Sequence, residues 1–259
     1  MKQSSCLVAL AAVAVAVPMV AAPAANAEEM KMSAKMTQGR TAGGFTGATT
    51  LTRYTNTPKA HILAEGYKDI STSPFGLSFR RGLGGRTEVG VAVGGGIALM
   101  GAGPGISLGV SGKHLLMDMG KMGLSVYGRA QARGLGSAAT TIPLFVSAPF
   151  TMDFGPRNSL TLAPGGGITL GGATTTMGAS LNAGYEWRFM DWASFLLLDD
   201  VDILPAFNNT VSVGVRLAYD DSFFADTSLL SLTGPASSLQ LGLLGASLAW
   251  VGQPKGMMK

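Results

Sequence analysis

The chain has 259 residues, 37 of them Gly, and only 13% are Asp, Glu, Lys or Arg. A soluble domain carries about twice that share of charge, and a net charge of +4 is too small to point to nucleic acid as a partner. The single cysteine, Cys6, rules out a disulfide framework within the chain.

Lys2 precedes an apolar run from Leu7 to Ala22 broken by Pro18, and Ala25-Asn26-Ala27 leads into Glu28-Glu29. This is the layout of a secretory signal peptide over residues 1–27, with cleavage expected after Ala27. The run is too short for a retained spanning helix, which needs about twenty uninterrupted apolar residues. Cys6 stands ahead of the run rather than after it, which argues against a lipoprotein site. No later stretch approaches a spanning helix, so an exported chain that enters a membrane must do so as a closed sheet, because hydrocarbon leaves no other way to satisfy the backbone.

Residues 28–40 read either as a tail or as a weak first strand: Met30, Met32, Ala34 and Met36 alternate with Lys31, Ser33, Lys35 and Thr37. Phe45 to Arg53 and Ala60 to Lys68 follow as candidate strands about a joint at Asn56, the second without clean alternation. Phe75, Leu77 and Phe79, then Val89, Val91 and Val93, form a hairpin about Leu83-Gly84-Gly85. Gly94 to Gly105 is expected as a connection.

The next hairpin carries the plainest signal. Ile106, Leu108 and Val110 alternate with Ser107, Gly109 and Ser111, and Leu124, Val126, Ala130 and Ala132 alternate with Ser125, Tyr127, Arg129, Gln131 and Arg133. The period is two, one face aliphatic and the other polar, which suits a sheet with lipid outside and water within. Ile142 to Asp153 continues the pattern despite Pro143 and Pro149, each of which removes a ladder donor. A short strand at Leu160 and Leu162 runs into an expected connection, Gly165 to Gly172. The longest alternation spans Thr176 to Phe189; Trp192 to Asp200, Val211 to Tyr219, Thr227 to Thr233 and Leu239 to Val251 complete the set, with a phase slip at Gly245 of the kind a β-bulge makes.

Five tight joints, at Asn56, Gly84, Met119, Gly155 and Met190, alternate with longer ones, which places them together at the periplasmic rim of a barrel. Tyr54, Phe79, Phe154, Trp187, Phe189, Trp192, Tyr219 and Trp250 fall at strand ends on that side, as an interfacial girdle would. The expected fold is all-β: an antiparallel transmembrane β-barrel of about 12 to 14 strands over residues 41–252, followed by a tail, 253–259.

Through its leader, repeated dyad strands, girdle and final strand from Leu239 to Trp250, the chain resembles bacterial outer-membrane β-barrel proteins as a class. The resemblance implies an outer-membrane location in a Gram-negative-type envelope, membrane lipid as a neighbour, and the outer-membrane assembly machinery as a partner. Such proteins usually finish on an aromatic residue, whereas here Val251 to Lys259 follow Trp250.

No enzyme chemistry is expected. His61 and His114 lie in no His-x-Ser or Asp-x-His spacing, and His114 falls in the lipid-facing phase. Asp199, Asp200 and Asp202 lack the spacing of a calcium loop and read as a solvated loop. Gly94-Gly95-Gly96 and Gly165-Gly166-Gly167 open no helix, so no phosphate cradle or other cofactor site is expected. The residues of interest are those of the polar phase: Arg80, Glu88, Lys113, Arg129, Gln131, Arg133, Asn182, Glu186, Arg188 and Arg216. Charged rings in a lumen set ion preference, and these are mostly basic. They suit a porin-like passive channel for small solutes or ions with a mild anion preference. Alternatively, Glu88 and Glu186 pair with Arg129 or Arg188 and close the lumen. That would leave a structural or adhesion-type barrel without transport, and an exported soluble β-rich protein is a third reading.

Overall fold

A computed structural model describes residues 41–42, 58–73, 76–96, 105–135, 140–155, 157–171, 175–190, 192–218, 223–234, 240–242 and 246–252. The leader, the stretch 28–40, the candidate strand Phe45 to Arg53, the joint at Asn56, the slip at Gly245, the tail and the girdle residues Tyr54 and Tyr219 lie outside these residues.

Two short strands, β1 (Thr41–Ala42) and β2 (Ile62–Leu63), precede the wall. The wall comprises β3 (Lys68–Ser73), β4 (Gly76–Leu83), β5 (Thr87–Gly96), β6 (Gly105–Asp118), β7 (Met122–Leu135), β8 (Thr141–Ser147), β9 (Phe150–Asp153) and β10 (Asn158–Gly171). It continues through β11 (Thr176–Met190), β12 (Ala193–Leu204), β13 (Asn208–Ala218), β14 (Phe223–Thr233), β15 (Gln240–Gly242) and β16 (Ala246–Gly252). Neighbours pair antiparallel in chain order, and β16 closes on β3 from Leu248↔Thr72 to Gly252↔Lys68. β8 and β9 share one place between β7 and β10, and β15 and β16 both pair with β14. The result is a closed barrel of 12 strands.

Alternation builds this wall. Ile106, Leu108 and Val110 point outward and remain about half exposed, as do Val91 and Val93 on the next strand. Directly opposite residues share a face, so the register Arg80↔Gly90↔Ser111↔Arg129 turns one polar row inward across four strands. The wall's height is uneven: β6, β7 and β10 run 14 residues and β11 runs 15, whereas β3 has 6 and β16 has 7.

Four expectations need correction. Ala60 to Lys68 is not a wall strand: the wall is complete from Lys68 onward, and of the residues before it Ile62–Leu63 pairs with β1 while Glu65 makes a single bridge to Gly82. Both glycine connections are partly strand: Gly94 to Gly96 belong to β5 and Gly165 to Gly171 to β10. Glycine is required there by close approach rather than by a loop, because a Cβ on Gly167 would land on the carbonyl oxygen of Leu144 in the neighbouring strand. Asp199, Asp200 and Asp202 lie within β12 rather than in a loop. Pro149 breaks one wall strand into two, while Pro143 stays within β8: Ala148 and Pro149 separate β8 from β9, with the Ala148 amide donating to the Pro164 carbonyl and the Ser125 amide to the Pro149 carbonyl.

The joints at Gly84, Met119, Gly155 and Met190 share one rim, hereafter the turn rim, and the φ of Gly84 (57°) and Gly85 (74°) is positive as the tight hairpin demands. The wall also begins, at Lys68, and ends, at Gly252, on this rim. The opposite or loop rim is not uniformly loop-like, because only residues 74–75 separate β3 from β4.

Candidate functional site

The lumen near the turn rim is filled by the chain itself. Residues 58–63 are buried inside the barrel, with Lys59 and Ile62 fully enclosed. Its residues grip several strands of the wall. Lys59 Nζ donates to Glu186 Oε2 of β11 at 2.7 Å, and the Ala60 amide donates to Thr151 Oγ1 of β9 at 2.8 Å. His61 Nε2 meets Asp153 Oδ2 of β9 at 3.0 Å. Ile62 packs on Leu115 of β6, and Leu63 packs on Phe224, Ala249 and Val251 of β14 and β16. The Leu63 amide donates to Glu88 Oε2 of β5 at 3.1 Å.

Leaving the lumen, the chain passes over β4. The Gly66 amide donates to the Gly82 carbonyl at 3.2 Å, and the Gly82 amide to the Tyr67 carbonyl at 3.0 Å. Gly82 must be glycine for this path, since a Cβ there would overlap the carbonyl oxygens of Leu63 and Ala64. Leu115, which the plugging segment needs as a partner, faces inward just before a register shift between Leu115 and Met117.

Around this segment the wall supplies charges that nearly all find counter-charges. Arg80 Nη2 donates to Asp69 Oδ2 at 2.7 Å and its Nη1 to Glu88 Oε1 at 3.4 Å. Lys113 Nζ lies 3.5 Å from Glu88 Oε2. Arg216 grips Asp226 through Nε and Nη2, at 2.6 and 2.7 Å, and reaches Glu186 at 3.3 Å. The two-pronged Arg216–Asp226 contact has the geometry of the strongest charge-assisted pairs. Burial pulls the Lys59 ammonium below the ordinary lysine range, against the opposing attraction of Glu186. By contact, Lys59, Glu186 and Arg216 form one buried network.

The ten polar-phase residues separate into two groups. Arg80, Glu88, Lys113, Glu186, Arg188 and Arg216 are buried in the filled half. Arg129 and Arg133 are exposed toward the loop rim, while Gln131 and Asn182 are half-buried. There Arg133 Nε donates to Gln131 Oε1 at 2.9 Å, and Arg129 lies over the Phe145 ring at 5.9 Å. Glu88 pairs with Arg80 and Lys113, and Glu186 with Lys59 and Arg216.

His114 is exposed on the outer face, its Nδ1 3.0 Å from Thr87 Oγ1. Of the girdle residues, Phe79 stacks under Lys68 at 5.9 Å and sits in one row with Ile70 and Trp250. Trp187 and Phe189 have ring centroids 5.9 Å apart, and Phe154 and Trp192 are exposed beside the turns.

The plugging segment escaped sequence reasoning, as did its partners Thr151 and Asp153 and the wall carboxylates Asp69 and Asp226 that hold Arg80 and Arg216. One signal was present: Ala60 to Lys68 fails to alternate, as a segment gripped on every side must.

No protein-family model and no curated protein matches the chain. Among solved structures it is similar to the KdgM porin in complex with disordered oligogalacturonate, with a TM-score of 0.49 and 7% identity over 71% of this chain and 96% of that one. It is also similar to a bacterial polysaccharide outer membrane secretin, with a TM-score of 0.46 and 11% identity over 69% of each chain. OmpT, an outer membrane protein of Vibrio cholerae, gives a TM-score of 0.34 and 5% identity over 72% of this chain and 95% of that one. A likeness at this level says nothing about what enters this lumen. The chain's own geometry, a closed antiparallel wall of 12 strands with an exposed aliphatic outer face and a polar interior, has the architecture of the outer-membrane β-barrel class.

Proposed function

We propose that this chain is an outer-membrane, porin-like barrel that takes small solutes, with a mild preference for anions, and that its own N-terminal segment gates passage. The loop rim faces outward and the turn rim faces the periplasm. Solutes enter a vestibule flanked by Arg129, Gln131 and Arg133, and pass only when residues 58–67 withdraw from the floor.

The observation that carries this reading is the division of the lumen's charges. Buried cations of the floor are balanced by Asp69, Glu88, Glu186 and Asp226, whereas Arg129 and Arg133 are exposed on the inward face near the open rim. Exposed lumen charges act on passing ions, while charges already balanced within a packed layer act mainly on the fold.

Single-channel recording from refolded protein tests it. The expected result is a small, intermittent conductance that favours anions and changes sign of preference in Arg129→Glu/Arg133→Glu. A cation preference in the natural chain would overturn the selectivity, and silence under all conditions would overturn passage. The packed floor supports a second reading, a structural barrel without transport, and that silence is its signature.

A further inference from the structure

Directly above the plugging segment lies a recess of about 190 Å³ lined by Pro58, Arg80, Glu88, Lys113, Tyr127 and Arg129, among others. It exceeds the roughly 150 Å³ cavity that takes up benzene in an engineered protein core, so a group of several heavy atoms fits. Pro58 of the segment lines it, and its walls are β4 to β7.

We propose that this recess binds a small oxyanion, a carboxylate or phosphate group carried by a solute that enters from the loop rim. The inference rests on the reading of the lumen as open to solute from that rim. Three cations line the recess and Glu88 is the one carboxylate among the lining residues. That carboxylate is stretched between two of them, 3.4 Å from Arg80 and 3.5 Å from Lys113. Arg80 meets its other partner, Asp69, at 2.7 Å, and Lys59 meets Glu186 at 2.7 Å. Charge-assisted hydrogen bonds settle at about 2.7 to 2.9 Å, so Glu88 serves both cations loosely, and it also accepts the Leu63 amide.

Arg80 and Lys113 are already withdrawn from water, with side chains 10% and 3% exposed. An oxyanion placed between them and Arg129 therefore meets charges whose desolvation the fold has already covered, in surroundings where attraction is stronger than in bulk water. Ser111, Gln131 and Tyr127, also in the lining, add neutral hydrogen-bonding groups.

Calorimetric titration of the refolded full chain in detergent tests this, with sodium acetate and sodium phosphate as separate probes in chloride at fixed ionic strength. Saturable one-to-one binding of at least one probe is expected, and the tighter probe identifies the group. Arg129→Gln should weaken binding tenfold or more, while Arg133→Gln, outside the recess, should change it less than twofold. Lys113→Gln should weaken it similarly, and the comparison of Arg129→Gln with Arg133→Gln decides alone if that buried change prevents folding. No saturable binding of either probe, or equal weakening by Arg129→Gln and Arg133→Gln, would overturn the site. Binding in a protein that conducts nothing would leave the site standing and remove only the channel reading.

Discussion

The two halves of the lumen use the same residue types for different ends. Toward the turn rim Arg80, Lys113 and Arg216 are buried against carboxylates, and the chain's own Lys59, His61 and Leu63 occupy the space between the walls. Toward the loop rim Arg129 and Arg133 are exposed, and among the described residues Arg129 lies over a phenyl ring and Arg133 donates to a neutral amide. An arginine in a barrel is thus no measure of selectivity by itself. Where it is buried against a carboxylate it acts mainly on the fold, and where it is exposed beside neutral groups its field reaches passing ions.

The sharpest way to break this contrast is Glu186→Leu. It strips Lys59 and Arg216 of a shared counter-charge in a fully buried place, and removing one partner of a buried ion pair costs about 3–5 kcal/mol. The temperature at which the folded band disappears on a semi-native gel should fall strongly, while Asn182→Leu, in the open half, should barely move it. Equal losses would mean that the halves do not differ.

A smaller effect is expected from Gly82→Val. Its side chain overlaps the carbonyls of Leu63 and Ala64 and unseats the segment while leaving the wall paired, at about 1–3 kcal/mol for such overpacking. Thiol labelling at Ala60→Cys should accelerate about tenfold in that background, consistent with the same range; unchanged labelling would mean that the segment's path does not depend on Gly82. The least effect on the fold should come from Arg129→Glu/Arg133→Glu. The variant should keep the melting behaviour of the natural chain while reversing its ion preference, and a large loss of stability would place these arginines in the packed network after all.

Much of the wall was legible in the amino-acid sequence alone. Strands with one face in lipid and one in water must alternate strictly, so Ile106 to Val110 and Leu124 to Ala132 announced their faces directly. Gly165 to Gly167 misled because glycine signals both turns and crowded strands, and only the neighbouring Leu144 carbonyl distinguishes them. The floor was hidden for a different reason. Lys59 and Glu186 are 127 positions apart and His61 and Asp153 are 92 apart, so no local spacing encodes their meeting. The polar phase located the charges, but which of them were balanced depended on a segment that belongs to no strand of the wall.

Locking the segment in place tests the central claim most directly. Ala60 and Thr151 are joined by a 2.8 Å hydrogen bond, so Ala60→Cys/Thr151→Cys, with Cys6→Ser, sets a disulfide between the segment and β9. The account predicts intermittent single-channel conductance in the reduced protein, its loss on oxidation, and its return with reductant. The same conductance in both states, with the crosslink verified by gel mobility, would contradict it.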